Sequence, residues 1–142
     1  MSVRFFLDTN ILIYSFYLQN ELKRIISEEL IKNSLAGEGF ISFQEIQEFL
    51  NVSTKKFGNP MNSTEAKYYM SKVLFPICKI FPTEELYYLA LEIHEKFKFS
   101  FYDSLIIAAA LESNCKILYS EDLQHNQKIY DLIIKNPFLK DI

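Results

Sequence analysis

The chain has 142 residues, which is enough for one domain with a single sizeable core. Apolar residues make up 49% and charged residues 23% of the sequence, as in globular rather than disordered proteins. The formal net charge of −3 gives no global basic field that would attract nucleic acid, so the composition disfavours a passive phosphate-binding protein. A site whose positive charge comes from metal ions is compatible with this acidity.

Cysteine usage and the chain's apolar runs indicate the compartment. Cys78 and Cys115 lie far apart in apolar runs and match neither a CxxC pair nor a metal-ligand spacing, which predicts buried, inert thiols. The amino terminus lacks the basic segment, long apolar core and small-residue cleavage site of a secretory signal. The longest strongly apolar run, residues 105–111, is much too short to span a bilayer. The sequence therefore predicts a cytoplasmic protein without a membrane segment.

Short apolar runs predict strands, and apolar residues at helical spacing predict helices. The predicted strands cover residues 3–7, 40–42, 77–81, 115–119 and, at the edge, 130–134. The predicted helices cover about residues 11–18, 21–35, 42–57, 63–73, 84–97 and 100–113, with Gly37 as the left-handed residue after the second. Strands separated by helices require crossovers. We therefore expect one α/β domain over residues 1–142, a three-layer α/β/α sandwich with a mostly parallel central sheet of four or five strands.

Four acidic residues stand where predicted strands end or where the following helices begin. Asp8 and Asp122 follow apolar strands, whereas Glu45 and Asp103 lie in the first turns of helices. Strand carboxyl ends and the amino ends of the next helices share one edge of a parallel sheet, so Asp8, Glu45 and Asp122 should converge there. Two helices separate Asp103 from the preceding strand, and the sequence leaves open which edge it reaches.

Three of these acids also have a purely structural interpretation. Ser42-x-x-Glu45 and Ser100-x-x-Asp103 both match the capping box, and an acid in the first turn complements the helix dipole. Asp122 fits an ordinary loop position. Each acid alone is therefore compatible with a structural role.

Asp8 is harder to explain as a helix cap, because Asn10 is available for that role. Two carboxylates about 4 Å apart repel by about 4 kcal/mol at an effective dielectric constant of about 20. Acids that converge must therefore be protonated, kept apart or bridged by metal. Oxygen ligands without His or Cys favour Mg²⁺ or Mn²⁺, and a pair of such ions can activate water for phosphodiester cleavage.

Four motifs resemble those of the PIN domain, and they occur in the order FLDTNILIY, ISFQEIQEF, SFYDSLIIAAA and ILYSEDLQH. The resemblance covers essentially the whole chain. The short length makes the chain most similar to VapC-type toxins of toxin–antitoxin pairs. The resemblance implies a Mg²⁺- or Mn²⁺-dependent endoribonuclease that cleaves RNA, forms a homodimer and is silenced by a small antitoxin protein.

The same resemblance assigns a role to each of the four acids. Asp8 would be the central metal ligand, and Asp103 would share its metal. Asp122 would bind a metal directly or through water. Glu45 would lie beside the attacking water as an outer ligand or base.

Two polar residues would support this implied site. Ser120 would contribute a hydroxyl, and Asn10 would orient Asp8 or the substrate phosphate. Asn126 departs from the family pattern, because relatives often carry Gly there. Asn also tolerates the left-handed conformation, so we expect the loop to keep its shape.

Two other functions compete with this one. A phosphatase of the haloacid dehalogenase type also has an Asp after its first strand, but it needs a DxD pair and this chain carries Asn10 at the second position. The other alternative is a catalytically silent PIN-fold module that binds a protein or RNA.

Several residues near the motifs keep two interpretations. His125 is an exposed loop side chain or a phosphate contact, and Lys55 and Lys56 are a solvated helix end or flank an RNA path. Glu48, one helical turn after the first Glu of ISFQEIQEF, is interpreted as a solvated surface acid rather than as a second ligand. Three aromatic residues either pack in the core or line a groove for an antitoxin peptide: Tyr14, Phe16 and Tyr17.

Overall fold

The computed structural model describes residues 3–139 and confirms the three-layer α/β/α architecture around a mostly parallel sheet. The strands are β1 (Phe5–Leu7), β2 (Gly39–Ser42), β3 (Cys78–Ile80), β4 (Ile117–Tyr119), β5 (Lys128–Ile129) and β6 (Leu132–Lys135). The helices are α1 (Thr9–Tyr14), α2 (Glu21–Leu35), α3 (Phe43–Ser53), α4 (Ser63–Tyr69), α5 (Phe75–Ile77), α6 (Glu84–Phe97) and α7 (Phe101–Glu112). A π-helical turn, Met70–Leu74, joins α4 to α5.

The strand order β3-β2-β1-β4-β6-β5 makes β1 a central strand. All neighbouring pairs are parallel except β5 and β6. The chain builds outwards from β1 to β3 on one side and then returns to the other side of β1 as β4. A crevice at the carboxyl ends of β1 and β4 is where such sheets bind ligands.

Alternate side chains of β1 reach two separate cores. Phe6 packs with the buried residues of α6 and α7 on one face of the sheet, whereas Phe5 and Leu7 pack with α1 and α3 on the other. Both faces of the sheet are therefore covered. This explains why β1 reads as a continuous apolar run rather than as an alternating pattern.

The carboxyl-terminal part of the sheet differs from the prediction of four or five strands. The last predicted strand is observed as β6, but it pairs in parallel with β4 and is not the edge of the sheet. The two-residue strand β5 forms the edge by pairing antiparallel with β6. A strand of two residues carries too little apolar periodicity for detection in a sequence, so the sheet has six strands.

Two predicted helices are shorter in the structure. α1 ends at Tyr14 rather than near residue 18, because the Ser15 hydroxyl donates to the Leu12 carbonyl at 2.6 Å and turns follow. α3 ends at Ser53 rather than near residue 57. The segments that follow α1 and α3, which the sequence predicted as helical, line a groove beside the candidate site.

Other sequence predictions are confirmed. Gly37 follows the cap of α2 with φ of 105°, in the left-handed region. Cys78 and Cys115 are free and buried. Within residues 3–139, none of the helices has the length and hydropathy needed to cross a bilayer.

Gly39 occupies a position where a larger residue would collide with its neighbours. A Cβ at this position would lie 2.2 Å from Ser34 Oγ and 2.3 Å from the Phe5 ring. We expect Gly39→Ala to lower the free energy of unfolding by about 1–3 kcal/mol, because overpacking forces buried groups apart. Urea denaturation measures this, and Gly58→Ala is the control because its Cβ would meet nothing within 4 Å. Equal stability of the two variants would contradict the packing at Gly39.

Candidate active site

Asp8 lies at the carboxyl end of β1 and is itself the cap of α1. Its Oδ1 accepts from the Thr9 amide at 2.7 Å, its Oδ2 accepts from Ser120 Oγ at 2.8 Å, and its amide donates to the Tyr119 carbonyl at 3.0 Å. The expectation that Asn10 would take the capping role is therefore wrong. The Asp8 carboxylate thus contacts Ser120, the residue after β4 that the resemblance named as a supporting hydroxyl.

Burial raises the pKa of Asp8 from 3.8 to about 6. Hydrogen bonds from Ser120 and the Thr9 amide oppose this rise, whereas the charges of Glu48 and Asp122 add to it. The charges that act most strongly on Asp8 are thus negative. A site of this kind favours either a proton or a cation at Asp8.

Asn10 connects α1 to the loop after β4. Its Nδ2 donates to Asp122 Oδ2 at 2.6 Å, and the Asp122 side chain is otherwise exposed. Ser120, two residues earlier, is fully buried. The structure therefore brings together Asp8 and Asp122, as the topology predicted, with Ser120 and Asn10, the supporting residues that the resemblance named. Asn10 contacts Asp122, however, and not Asp8.

Glu45 lies in the first turn of α3, where it forms the predicted capping box. Its Oε1 accepts from the Ser42 amide at 2.7 Å and from Ser42 Oγ at 2.8 Å. The side chain is fully buried, and its Oε2 is one of the buried polar atoms that have no hydrogen-bond partner among residues 3–139. Burial raises the pKa of Glu45 well above its usual value, and the charges of Asp8 and Glu48 act in the same direction. These features favour a neutral carboxyl.

Glu48, one turn further along α3, acts on Asp8 through its charge, although the sequence interpretation treated it as a solvated surface acid. Its Oε1 accepts from Thr9 Oγ1 at 2.6 Å. The charge of Glu48 raises the pKa of Asp8 more than the charge of Asp122 does. Glu48 is also exposed, so it remains accessible to water and to a ligand. The signal was present, because Glu48 lies three residues after Glu45 and therefore on the same face of the helix.

Asp103 starts α7, whose amino end lies beside that of α3. The Gln44 side chain in the first turn of α3 donates to the Tyr102 carbonyl at 3.3 Å, which joins the two helix starts. This contact answers the question that the sequence left open, because it places Asp103 at the same edge as Glu45. Asp103 is exposed, and Ser100 Oγ accepts from its amide at 3.2 Å.

The basic residues near the motifs have modest roles. His125 Nδ1 accepts from the Asn136 amide at 2.9 Å, which ties its ring to the segment after β6. Lys55 and Lys56 are exposed just after α3. Lys56 also lines the groove beside the site, so both interpretations of the two lysines stay open.

The oxygen donors fit a hard divalent cation, although they are not gathered closely. Across residues 3–139, no three His, Cys, Asp or Glu side chains lie close enough to bind one ion together. The fit rests instead on charge: nearby acids raise the pKa of Asp8 and of Glu45, and no basic side chain within residues 3–139 is among the causes that shift either pKa. Such a donor set, with the unpartnered Oε2 of Glu45 beside it, suits Mg²⁺ or Mn²⁺.

A groove of about 840 Å³ opens beside this site. Asn10 lies at one end of it, and the segments that follow α1 and α3 form its walls. The three aromatic residues left undecided by the sequence all line this groove: Tyr14, Phe16 and Tyr17. Phe16 also packs against Phe49 and Phe57, so its ring joins the core to the groove wall.

The chain belongs to the PIN domain family, because the PIN domain model matches residues 5–129. The matched range includes every acid described above. No curated protein sequence matches the chain significantly.

Solved structures share the fold at low sequence identity. FitAB bound to the IR36 DNA fragment matches with a TM-score of 0.68 and 17% identity, over 97% of this chain and 98% of that chain. A toxin–antitoxin complex from Klebsiella pneumoniae matches with a TM-score of 0.66 and 17% identity, over 93% and 96%. The sarcin–ricin loop cleaving toxin VapC20 from Mycobacterium tuberculosis matches with a TM-score of 0.60 and 15% identity, over 83% and 89%.

Proposed function

We propose that this PIN domain is a metal-dependent endoribonuclease that hydrolyses RNA phosphodiester bonds. The observation that carries the proposal is the position of Asp8, a half-buried carboxylate at the end of the central strand that is held by Ser120 and lies near the charges of Glu48 and Asp122. Bound Mg²⁺ or Mn²⁺ would activate a water molecule and stabilise the departing oxygen. The acidic protein surface then needs no basic field of its own, because the ion attracts the phosphate.

The side chains divide into ligands and supporting groups. Asp8 and Asp122 would bind the ion, with Asp103 as the ligand that the family resemblance adds. The Ser120 hydroxyl fixes one Asp8 oxygen, and the Asn10 amide fixes one Asp122 oxygen. Both bonds leave the second lone pairs of these oxygens free for a cation.

Glu48 is the better candidate for the glutamate beside the attacking water. The sequence assigned this role to Glu45, whose capping box and burial instead suit a neutral group that starts α3. Glu48 is accessible, and Thr9 orients its carboxylate. We propose Glu48 as the outer ligand or base, and the assignment to Glu45 is the competing prediction.

Paired variants separate the two glutamates. We expect Glu48→Gln to lower the rate of Mn²⁺-dependent cleavage of structured RNA by about 100-fold or more, the usual worth of a positioned base. Glu45→Gln should change the rate only a few-fold, because the amide oxygen still accepts from Ser42 and the group stays neutral. Single-turnover cleavage assays measure both rates. A large loss of cleavage rate in Glu45→Gln, together with a wild-type rate in Glu48→Gln, would assign Glu45 to the position beside the attacking water.

A silent PIN-fold module is the second candidate function. It is favoured by the acids' separation, since no three of them within residues 3–139 are close enough to bind one ion. Titration of the wild-type chain with Mn²⁺ distinguishes the two functions. Saturable binding with a rise in melting temperature supports the enzyme, and absence of both supports the module.

We further propose that the chain is a cytoplasmic toxin, a homodimer that a small antitoxin protein inhibits. One of the structural neighbours is a toxin–antitoxin complex from Klebsiella pneumoniae, and another is VapBC2 from Rickettsia felis bound to a DNA fragment from their promoter. The groove suits an antitoxin segment, because Phe16, Tyr17 and Leu18 give it an apolar wall and Asn10 connects it to Asp122. Co-expression with the adjacent reading frame, followed by growth and sedimentation measurements, tests both neutralisation and oligomeric state.

A further inference from the structure

The loop after β4 is attached to α1 and α2 by three consecutive side chains, Ser120, Glu121 and Asp122. Ser120 donates to Asp8, and Asp122 accepts from Asn10. These residues lie in irregular backbone between β4 and β5, outside any strand or helix. The position of Asp122 therefore depends on side-chain contacts more than on secondary structure.

Glu121, between these two residues, has a set of partners with no part in the proposed chemistry. Its Oε1 accepts from the Tyr14 hydroxyl, and its Oε2 accepts from Lys23 Nζ. The Lys23 ammonium lies 4.6 Å from the centre of the Tyr14 ring and 5.4 Å from that of Phe138. We call Tyr14, Lys23, Glu121 and Phe138 the Glu121 cluster.

The Glu121 cluster is better ordered than an isolated ion pair on an open surface. Tyr14 and Phe138 pack edge to face at 5.3 Å, which connects the end of α1 to the segment after β6. The side chains of Lys23 and Glu121 are only 26% and 23% exposed, so water screens their attraction less than at an open surface. Both oxygens of Glu121 are engaged, and its charge is offset by Lys23. Glu121 is thereby kept from acting as an additional acid beside Asp122.

We propose that Tyr14 and Lys23 are positioning residues that, through Glu121, fix the metal-binding end of β4. This inference rests on the proposed function, since it concerns where Asp122 meets the ion. Asp8 and Asn10 lie at the start of α1 and Tyr14 lies at its end, so one short helix sets the spacing of all three residues of the loop. Loss of the cluster should widen the range of Asp122 positions and weaken metal binding without removing a ligand.

Two variants test this with a matched control. Tyr14→Phe keeps the ring and its aromatic contacts but removes one hydrogen bond to Glu121, and Glu121→Ala removes the cluster's centre. Tyr88→Phe is the control, because the Tyr88 hydroxyl also donates to a carboxylate, that of Glu84, on the exposed surface of α6. Each protein is compared with wild type for Mn²⁺ affinity by calorimetry and for metal-free amide exchange at residues 120–123.

We expect Glu121→Ala to raise the Kd for Mn²⁺ by about 10-fold, the usual effect of losing an outer partner of a metal site. Tyr14→Phe should raise it by about fivefold, the usual worth of one hydrogen bond. In both variants, exchange at residues 120–123 should accelerate by similar factors, and higher Mn²⁺ should restore RNA cleavage. Tyr88→Phe should match wild type in all three measurements.

Wild-type Mn²⁺ affinity and unchanged exchange in both variants, with the fold intact by circular dichroism, would overturn the proposal. The exchange measurement needs no metal and is therefore independent of the proposed function. If the wild-type chain neither binds Mn²⁺ nor cleaves RNA, the proposed nuclease function fails. Positioning by the cluster is then decided by the exchange rates alone, where acceleration supports it and no change refutes it.

Discussion

Replacing Asp8 with Asn is expected to lower Mn²⁺-dependent RNA cleavage by about 1,000-fold. The charge stabilisation that a bound ion provides is worth about 4 kcal/mol, and each 1.36 kcal/mol corresponds to tenfold in rate. Asn keeps an oxygen that can accept from Ser120 or from the Thr9 amide, so the fold should persist. Cleavage of a structured RNA under single-turnover conditions, with saturating Mn²⁺, measures the effect.

The matched control for this experiment is Asp131→Asn. Asp131 is an exposed aspartate in the turn between β5 and β6. Because β6 runs parallel to β4, this turn lies at the opposite edge of the sheet from the carboxyl end of β1. Asp131→Asn should therefore cleave RNA at the wild-type rate. Cleavage by Asp8→Asn at that same rate would exclude Asp8 from the chemistry.

The second large effect is a loss of metal-free stability as pH rises. The pKa of Asp8 is raised from 3.8 to about 6, so between these values the folded state binds a proton that the unfolded state has released. Stability from this group is complete below about pH 4 and is lost as pH rises through about 6. The shift corresponds to at most about 3 kcal/mol, and partial exposure of the side chain reduces that figure. Buried Glu45 has a pKa raised in the same direction and adds to the loss.

Comparison with Asp8→Asn measures the contribution of Asp8 together with its coupling to Glu45. The variant retains Glu45 and every other titrating group, but it lacks the Asp8 charge that helps to raise the pKa of Glu45. Urea denaturation in EDTA at several pH values between about 4 and 7 measures the difference. As pH rises, the free energy of unfolding of the variant should increase relative to that of wild type by up to about 3 kcal/mol. Added Mn²⁺ should reverse the order above pH 6 by stabilising wild type alone. Parallel curves in EDTA would contradict a raised pKa of Asp8 in the folded state.

The sequence allowed prediction of the sheet's active edge because its signals are local. Asp8 follows an apolar run and precedes a helical pattern, and this strand–turn–helix is visible in consecutive residues. The pairing of β1 with β4 then brings Ser120 to Asp8, as the parallel topology required. The local signals predicted the position of Asp8, whereas Ser120 was named only by the family resemblance, because the pairing of β1 with β4 is a tertiary property.

The sequence could not decide which glutamate of α3 belongs to the site. Glu45 and Glu48 share a helix face, and the choice depends on how α3 is rotated against Thr9 and Ser42, which is a tertiary property. The sequence assigned Glu45 both to a capping box and to the candidate site. Its contacts in the structure are those of the capping box.

The Glu121 cluster could not be predicted from the sequence either. Its members are contributed by α1, α2, the loop after β4 and the segment after β6, and Lys23 and Glu121 are separated by 98 positions. No local pattern connects such residues. Long-range ion pairs and ring contacts of this kind become visible only when the sheet order is known.

Calorimetric titration of the metal-free chain with Mn²⁺ tests the central claim most directly. The carboxylates around Asp8 should bind Mn²⁺ saturably near neutral pH, and binding should raise the melting temperature. It should also release protons from the carboxyl groups whose pKa is raised. Asp8→Asn should lose this binding, whereas Asp131→Asn should keep it. Absence of saturable binding by the wild-type chain, or equal binding by Asp8→Asn, would contradict a metal site centred on Asp8.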